Sequence, residues 1–476
     1  MNKLFKRCSS IALCIIIFLS ALPFSANAAI GQTDYVVDDK GKATLPKCYV
    51  PEKRIERVYT GSYLSTPQNM YIDMEDNLYI ADSGNNRIVK FNSELEFVRE
   101  FTAGKTLNNP SGSYYDHEAR ELYIADTDNE RIVVVDQNDS VIREYRKPQS
   151  ELLDDDLTFT PTNVSLGVQG YMYILKGQSF MQVNQDGEFK GFVGSTKVAA
   201  NILTVIIRRF ASEKQKKMLV TEQPNPYVNF TMDRNGVIYA VVGAESAQIR
   251  KINMAGDNLY PEKFFGEMVY QDGWKLTTPS FTSITVSNDG IISVLEEKCK
   301  KIYQFSQDGV LLNVFGGEGE VAGFFQGPVA VACDSKGSIY VSDTVTNTVQ
   351  RFKRTTFVSA VYDAQAAYDQ GLYEKAYDLY VKAKSINPNY SVLNNGMADC
   401  LYKMGRIDEA TKAYKYADNR EGYGKVQQVK RKQFVKQYFG WICLAVFIAI
   451  AAVIILIYRL RKYVDALVRR YYHLND

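Results

Sequence analysis

Histidine is almost absent from this chain, since only His117 and His473 occur among 476 residues. Histidine is the usual general base and the commonest transition-metal ligand near neutral pH, so its scarcity disfavours sites built on either role. An excess of charge is missing too, because 56 Lys and Arg balance 54 Asp and Glu to a formal +2. Such a chain has no global field that attracts polyanions, and we predict no nucleic-acid partner.

Cysteines are few and widely spaced. Beyond residue 28 they are Cys48, Cys299, Cys333, Cys400 and Cys443. They show neither CxxC spacing with nearby histidine, as in zinc sites, nor a disulfide framework. Nucleophile elbows, H-E-x-x-H motifs and phosphate-binding loops are also missing from the sequence. We therefore assign no catalytic, cofactor-binding or metal-binding residue, and we predict a protein without a cofactor that is not an enzyme.

Residues 1–28 predict a cleaved signal peptide. Basic residues precede an apolar run at 11–22, and Ala26-Asn27-Ala28 supplies an A-x-A cleavage site. An uncleaved membrane anchor is the alternative, but the run is short for a span and Pro23 follows it. Residues 29–53 then form an N-terminal extension of the mature chain.

A second apolar run, residues 439–458, carries no charge and is long enough to cross about 30 Å of hydrocarbon. We predict one transmembrane helix here, preceded by a basic juxtamembrane helix at 425–438 and followed by a cytoplasmic tail at 459–476. Basic residues flank both ends of the run, so the positive-inside rule gives no orientation. The signal peptide gives the orientation, and it predicts a single-pass cell-membrane protein whose N-terminal domains are extracytoplasmic.

Internal repetition defines the large domain, residues 54–355. LYIADSGNNRI at 78–88 matches LYIADTDNERI at 122–132, and IYVSDTVTNTV at 339–349 keeps the same frame. Each segment is typical of a strand, a polar turn and a second strand. Weaker copies begin near Gly170, Gly236 and Gly290, which makes six units. A proline precedes each unit at a similar interval: Pro67, Pro110, Pro161, Pro226, Pro279 and Pro328.

These motifs resemble the NHL-repeat family of β-propellers over roughly residues 50 to 355. The resemblance implies a mainly β fold in which six four-stranded blades surround a central channel. The Asp-Asn-Arg turn of the first two units is lost in units three to five.

A final strand closes five of the units but is missing from the sixth. These strands are predicted at 97–101, 141–145, 189–193, 263–265 and 311–315. Residues 54–61 carry the same pattern ahead of the first unit, so we predict that they complete the sixth blade and close the ring.

An insertion at 196–224 separates the third and fourth units. Within it, residues 202–218 predict an amphipathic helix with a basic second half. The helix is either a decoration packed on the propeller or a lid or docking element, since inserted loops on repeat scaffolds commonly carry binding.

Residues 356–424 change to helical periodicity. Four positions recur with an offset of 34 residues: Gly371, Ala376, Tyr380 and Ala383 become Gly405, Ala410, Tyr414 and Ala417. This spacing resembles the tetratricopeptide repeat, which implies paired antiparallel helices. The small residues let the helices approach, and the aromatic ring fills the gap between them.

Carboxylates near the channel offer the main argument for an enzyme. Propellers of the gluconolactonase and lyase types hold a divalent metal there, and five aspartates are candidates: Asp73, Asp82, Asp126, Asp233 and Asp343. Most of them stand where the turn itself uses an aspartate, which favours capping over ligation. His117 lies in a loop between strands, and we interpret it as a surface residue.

The leading hypothesis is a membrane-anchored extracytoplasmic binding or scaffold protein. Its propeller would present a surface to a protein or cell-envelope glycan, as an accessory to an envelope or transport complex. The alternative is a metal-dependent lactonase or lyase-type propeller enzyme.

Overall fold

The computed structural model describes residues 34–38, 41–150, 153, 158–176, 179–194, 226–271, 275–388 and 390–473. The predicted signal peptide and the insertion at 196–224 lie outside these residues, so both stay predictions. The chain divides into two compact units, Met1–Tyr362 and Asp363–Asp476.

Short strands form in the segment that precedes the first blade. They are β1 (Tyr35–Asp38), β2 (Gly41–Thr44), β3 (Tyr49–Ile55), β4 (Arg57–Tyr59) and β5 (Ser62–Tyr63). β1 and β2 make one antiparallel hairpin, and β4 and β5 make another. The predicted N-terminal extension is therefore largely built into sheets.

The first three blades are four-stranded antiparallel sheets whose strands follow one another in chain order. Blade 1 comprises β6 (Pro67–Ile72), β7 (Leu78–Asp82), β8 (Arg87–Phe91) and β9 (Phe97–Phe101). Blade 2 comprises β10 (Pro110–Asp116), β11 (Glu121–Asp126), β12 (Arg131–Val135) and β13 (Val141–Tyr145). Blade 3 comprises β14 (Asn163–Leu166), β15 (Met172–Lys176), β16 (Ser179–Val183) and β17 (Phe189–Val193).

The other three blades each depart from that plan. Blade 4 has β18 (Tyr227–Met232), β19 (Ile238–Val242) and β20 (Ile249–Ile252), and a hairpin of β21 (Val269–Gln271) and β22 (Lys275–Thr277) follows it. Blade 5 has β23 (Phe281–Val286), β24 (Ile292–Glu296), β25 (Lys301–Phe305) and β26 (Leu311–Gly316), with β1 and β2 added outside β26. Blade 6 has β27 (Pro328–Cys333), β28 (Ile339–Asp343) and β29 (Thr348–Arg354), with β3 as its fourth strand.

The first strands of the blades contact one another around a complete circle, β6, β10, β14, β18, β23, β27 and back to β6. This arrangement confirms the predicted six-bladed propeller. The second strands are buried along their length, as in β7 and β19. Neighbouring blades cover both faces of these strands, which explains why the sequence shows apolar runs there instead of alternation.

An N-terminal strand closes the ring as predicted, but only Arg54 and Ile55 of the predicted residues 54–61 belong to it. The closing strand is β3, which pairs with β29 from Val349 opposite Ile55 to Arg354 opposite Tyr49. The buried Tyr49 ring stacks on Phe315 at 4.6 Å, and this contact anchors the strand five residues earlier than expected. Most of the predicted segment forms β4 and part of the following turn instead.

The fourth strand predicted for blade 4 at residues 263–265 is not formed in the part of the chain that the structure describes. The segment makes one backbone bond to the blade, from Ala247 N to Lys263 O at 2.8 Å. Phe265 is buried and stacks on Tyr260 at 5.1 Å. Pro261 lacks the N–H that a ladder needs. Strand pairing at this edge is limited to the bridge between Ile252 and Asn258, and aromatic packing holds the segment that follows.

Helices follow the sixth blade: α1 (Thr356–Asp369), α2 (Tyr373–Ile386), α3 (Ser391–Lys403), α4 (Ile407–Tyr416) and α5 (Arg420–His473). Two hydrogen bonds recur with the predicted 34-residue offset. Tyr380 donates its hydroxyl to Gln365 at 2.9 Å, and Tyr414 donates to Asp399. The two repeats thus use one side-chain arrangement twice.

The small residues of the repeat occupy equivalent places as well. Ala376 and Ala410 are fully buried. Gly371 and Gly405 hold φ angles of +78° and +77°, a left-handed conformation that lets a helix end turn without strain. These positions explain the pattern of the sequence.

α5 contains the apolar run 439–458. Among the described residues it is the one helix long and apolar enough to cross a membrane. Its side chains there are exposed, as with Trp441 and Phe447 at 72% and 70%. Because the run shows no buried face, it suits contact with lipid on all sides.

Candidate functional site

Polar side chains of the innermost strands form a partial belt around the channel. The Asn163 amide donates to Asn229 Oδ1 at 2.9 Å, and the Asn229 amide reaches Ser283 Oγ at 3.3 Å. Ser283 Oγ also accepts from the Val331 N–H at 3.0 Å. These groups do not titrate near neutral pH and largely satisfy one another. The belt joins the innermost strands of blades 3 to 6 through neutral polar atoms.

Asp82 holds the loop that leads into blade 1. Its Oδ1 accepts from the Ser65 N–H at 2.6 Å, and its Oδ2 accepts from Asn85 at 2.9 Å and from Arg87 at 2.7 Å. The Arg87 side chain also binds Glu100 at 2.7 Å. Its one backbone donor lies in the preceding loop, so Asp82 joins that loop to the blade and does not cap its own turn.

Asp126 and Asp343 fill the same role in blades 2 and 6. Asp126 accepts from the Asn108 N–H at 2.7 Å and from Arg131 at 2.7 Å. Asp343 accepts from the backbone of Gln326 at 2.7 Å and of Thr346 at 2.9 Å. Burial would raise the pKa of Asp343, but its backbone hydrogen bonds lower it, so the group stays ionised.

Asp73 and Asp233 cap the turns between first and second strands. Asp73 Oδ1 accepts from the N–H groups of Glu75 and Asn77, both at 2.9 Å. Asp233 Oδ1 accepts from the Val237 N–H at 2.9 Å. Asp73, Asp233 and Asp343 therefore cap the turns in which they lie, as predicted, whereas Asp82 and Asp126 bind the loops that precede their blades.

His117 lies in the predicted loop, directly after β10, but it is packed between two blades. Its Nε2 accepts from the Met74 N–H at 3.2 Å and lies 3.6 Å from Asp73 Oδ2. The edge of its ring meets Tyr115 at 4.9 Å, and its side chain is 18% exposed. The surface interpretation was therefore incomplete, because His117 of blade 2 braces the turn of blade 1.

Within the described ranges, no group of three or more His, Cys, Asp and Glu side chains could hold a metal ion. The described cysteines are free thiols. Burial raises the pKa of the Cys400 thiol to about 12. A thiol of that kind is inert at neutral pH, since the thiolate is the reactive form.

Blade 5 carries a buried polar cluster that the sequence reasoning missed. Lys301 stands where blades 1 and 2 have Arg87 and Arg131, but it donates to the Tyr35 hydroxyl of β1 at 3.0 Å. Tyr35 donates to Glu267, which also pairs with Lys42 at 2.8 Å. The cluster attaches the N-terminal hairpin to the outer edge of this blade.

Burial and charge shift the pKa values of this cluster. Burial, followed by repulsion from Lys42, lowers the pKa of Lys301. Burial raises the pKa of Tyr35, and the Glu267 carboxylate raises it further. Burial would also raise the pKa of Glu267, but hydrogen bonds from Lys42 and Tyr35 lower it. The cluster is held by charge-assisted hydrogen bonds.

A second buried network lies at the seam between blades 5 and 6. Ser293 occupies a position that is tyrosine in the other five blades: Tyr79, Tyr123, Tyr173, Tyr239 and Tyr340. Gln304 donates to Ser293 Oγ at 2.9 Å and to the Tyr49 hydroxyl at 3.1 Å. Tyr362, in the middle of α1, donates to Gln304 Oε1 at 2.5 Å. The small serine leaves room for these tyrosines.

Arg354 joins the same seam. Its guanidinium binds both oxygens of Asp289, at 2.5 and 3.1 Å, and donates to the Tyr49 hydroxyl at 3.2 Å. Burial would lower the pKa of Arg354, but Tyr49 and Asp289 hold it above its usual value. The closing strand, blade 5 and the start of α1 are therefore fixed by one ion pair and its neighbours.

Sequence signals for these residues were weak but present. Asn163 follows Pro161 at the interval that separates Asn69 from Pro67, but Asn229 and Ser283 follow their prolines at intervals of three and four residues, so alignment on proline marks only Asn163. The loss of tyrosine at Ser293 could have marked the seam. The residues that these side chains contact come from distant segments of the chain, and no sequence pattern identifies them.

One known protein family matches the helical part of the chain. The tetratricopeptide repeat family matches residues 367–421. The chain contains tetratricopeptide repeats, as predicted. No curated protein matches the chain.

Solved structures resemble the chain over its propeller at low identity. Virginiamycin B lyase from Staphylococcus aureus is 11% identical, with a TM-score of 0.40, and the alignment covers 67% of this chain and 87% of that one. An auxiliary nutrient binding protein from Bacteroides thetaiotaomicron is 11% identical, with a TM-score of 0.44, covering 67% and 82%. A streptogramin B lyase is 12% identical, with a TM-score of 0.38, covering 60% and 78%. Similarity at this level carries no argument about function, and the NHL resemblance stays a prediction.

Proposed function

We propose that this protein is a membrane-anchored binding or scaffold protein whose propeller and tetratricopeptide repeats lie outside the cell membrane. Residues 439–458 anchor it, and residues 459–476 face the cytoplasm. The partner is a protein or a cell-envelope glycan, and the protein acts as an accessory to an envelope or transport complex.

One observation carries the proposal: a single helix, α5, belongs both to the repeat and to the apolar run. Val426, near its start, is fully buried among repeat residues. The same helix continues without a break through residues 439–458 to His473. A repeat fold that presents a binding surface is thus joined directly to a membrane anchor, with no loop between them.

The orientation is supported by the predicted signal peptide. Long N-terminal domains translocate largely regardless of charge, and the basic residues on both sides of the run do not oppose this direction. The setting fits a cell surface with one membrane and an external envelope.

The enzyme alternative requires a channel cation with converging ligands. The candidate aspartates instead accept backbone hydrogen bonds, at 2.6 to 2.9 Å, from their own turns or from the loops that precede their blades. A metal that binds only the folded protein stabilises it by mass action. We expect the purified protein to melt at the same temperature with and without a chelator. A stoichiometric metal together with a melting transition lowered by chelation would favour the lactonase or lyase.

Crosslinking in native membranes tests the binding function. We expect a discrete crosslinked partner that is lost when the exposed Tyr416, at 71% exposure on α4, is changed to alanine together with Ile386→Ser on α2. The matched control is Val168→Ser with Met254→Ala, which removes exposed apolar groups from the propeller. A partner lost only in the control would move the binding surface from the repeats to the propeller. If the parent protein crosslinks to no partner, the proposed function is wrong.

A further inference from the structure

The first turns of α5 are part of the repeat core. Val426 packs with Leu401, Ala410 and Tyr414. One turn later, Lys430 Nζ pairs with Asp408 Oδ1 of α4 at 2.7 Å. The buried Val426 contacts therefore fix the rotation of the helix against the repeat, and the more exposed Lys430–Asp408 pair continues the contact to residue 430.

The segment between this contact and the apolar run is short and helical. Residues 431–439 contain no proline or glycine, the usual causes of a kink. At 1.5 Å per residue, Lys430 lies about 14 Å along the axis from Phe439. The headgroup layer on each side of the hydrocarbon is about 5 to 8 Å thick. The repeat therefore begins close to the outer surface of that layer.

Cations occupy the side of α5 that faces away from the repeat. Gln428, Arg431, Lys432 and Val435 follow the spacing i, i+3, i+4 and i+7, which places them on one face. Val426 and Lys430, which contact the repeat, lie on the opposite face. Lys436 extends the basic face by one turn. The ion pairs found among the described residues do not include Arg431, Lys432 or Lys436.

The charge of this region suits an anionic surface. No acidic residue occurs between Glu421 and Asp465. A protein or glycan ligand would leave the depth of these cations unexplained, whereas an acidic phospholipid presents its phosphate at that depth. Cations close to an anionic leaflet each contribute about 1 kcal/mol of attraction, which is roughly fivefold in affinity.

We propose that α5 is a rigid strut that seats the tetratricopeptide unit on the bilayer, with Arg431, Lys432 and Lys436 bound to acidic phospholipid headgroups. This inference rests on the proposed insertion of residues 439–458. It adds that the repeat is held at a fixed height, so that its partner must be reachable from the membrane surface.

Lipid binding is tested on the full chain in phosphatidylcholine nanodiscs that contain a minority of spin-labelled phosphatidylglycerol. The variant is Arg431→Gln with Lys432→Gln and Lys436→Gln. We expect the fraction of motionally restricted labelled lipid to fall by about fivefold or more. The matched control is Lys403→Gln with Lys412→Gln and Lys415→Gln, which removes the same charge from exposed positions of α3 and α4. Equal restriction in the variant and the parent, or an equal fall in the control, would overturn headgroup binding by this face.

Rigidity is tested by inserting seven residues after Gln433. A helical insert, EAAAKAA, should move a fluorophore at position 412 away from a headgroup acceptor by about 10 Å. A glycine-serine insert of equal length should broaden the distance distribution instead. A parent distribution as broad as that of the glycine-serine variant would show a hinge and overturn the strut.

One control separates this inference from the proposed function. Trp441 lies inside the apolar run, so lipids brominated on their acyl chains should quench its fluorescence. If Trp441 is quenched but the distance between position 412 and the headgroups is broadly distributed, only the strut is overturned. No quenching would overturn both the membrane anchor and the strut.

Discussion

Blade 1 and blade 5 secure the end of the second strand in different ways. In blade 1, Asp82 and Arg87 bind each other at 2.7 Å, and all the partners of Asp82 come from its own blade or the preceding loop. In blade 5, Glu296 accepts from the backbone of Ser280 at 3.0 Å and of Cys299 at 2.6 Å. Its register partner Lys301 turns to Tyr35 instead.

The difference shows what the loss of a repeat motif means in this ring. Blades 1 and 2 keep the Asp-Asn-Arg turn and hold themselves together. Blade 5 lacks it and also carries Ser293 in place of the common tyrosine. At those two places the chain brings in Tyr35 from β1, and Tyr49 and Tyr362 from β3 and α1. In blade 5, these departures from the repeat therefore mark where other segments dock.

The largest effect is expected for Arg354→Met at the docking seam. It leaves Asp289 half-buried without its bidentate partner and removes a donor from Tyr49. Breaking a buried pair in this way costs about 3 kcal/mol of unfolding free energy. Urea unfolding of the extramembrane part measures it. Arg146→Met is the control, since its side chain is 61% exposed and its pair should contribute little. Equal unfolding free energies of the two variants would contradict a stabilising role for the Arg354–Asp289 pair.

Restoring the repeat should also harm blade 5. Ser293→Tyr introduces the residue found in the other five blades, but the space is already filled by Gln304 and the tyrosines around it. Overpacking of this kind costs about 1 to 3 kcal/mol. The same urea unfolding measures the loss. A variant more stable than the parent would show that serine has no docking role.

Arg87→Met tests the self-contained arrangement. We expect a loss of about 2 kcal/mol, because Asp82 keeps two of its hydrogen bonds. Arg131→Met in blade 2 is the matched variant, since Arg131 makes the same contacts to Asp126 and Glu144 at 2.7 and 2.6 Å. The two losses should agree closely. A large difference between them would mean that the shared motif does not act alike in the two blades.

The repeated blades could be predicted from the sequence, whereas the contacts between distant segments could not. The six blades could be predicted because the residues of each repeat motif lie close together in the sequence, as Asp82 and Arg87 do. The closing strand was misplaced because its register depends on Tyr49 packing against Phe315, far along the chain. The blade 5 cluster was missed because Tyr35 and Glu267 are separated by 232 positions. Contacts at that range leave no periodic signal.

A smaller effect is expected at the hairpin of blade 5. Tyr35→Phe removes the hydroxyl shared by Lys301 and Glu267 and should cost about 1 kcal/mol. A double-mutant cycle with Lys301→Met should show a coupling of at least about 0.5 kcal/mol. The same cycle between Tyr35 and Arg87 should show none. Coupling in both cycles would mean that the hairpin acts on the whole ring.

Acid should weaken the seam by a modest amount. Burial would raise the pKa of Asp289, but its bonds to Arg354 lower it. A carboxyl whose pKa is lowered on folding adds stability at neutral pH, and this is lost as pH falls below about 4. Asp289→Asn should therefore flatten the fall in unfolding free energy at low pH. An unchanged slope would mean that Asp289 is not the titrating group.

The position of the propeller and the repeats relative to the membrane is the central claim, and protease digestion of sealed right-side-out membrane vesicles tests it most directly. We expect added protease to remove the chain up to about residue 436 and to leave a protected fragment containing 439–476. The fragment should be degraded only after detergent opens the vesicles. A full-length chain that resists protease until detergent is added would contradict the account.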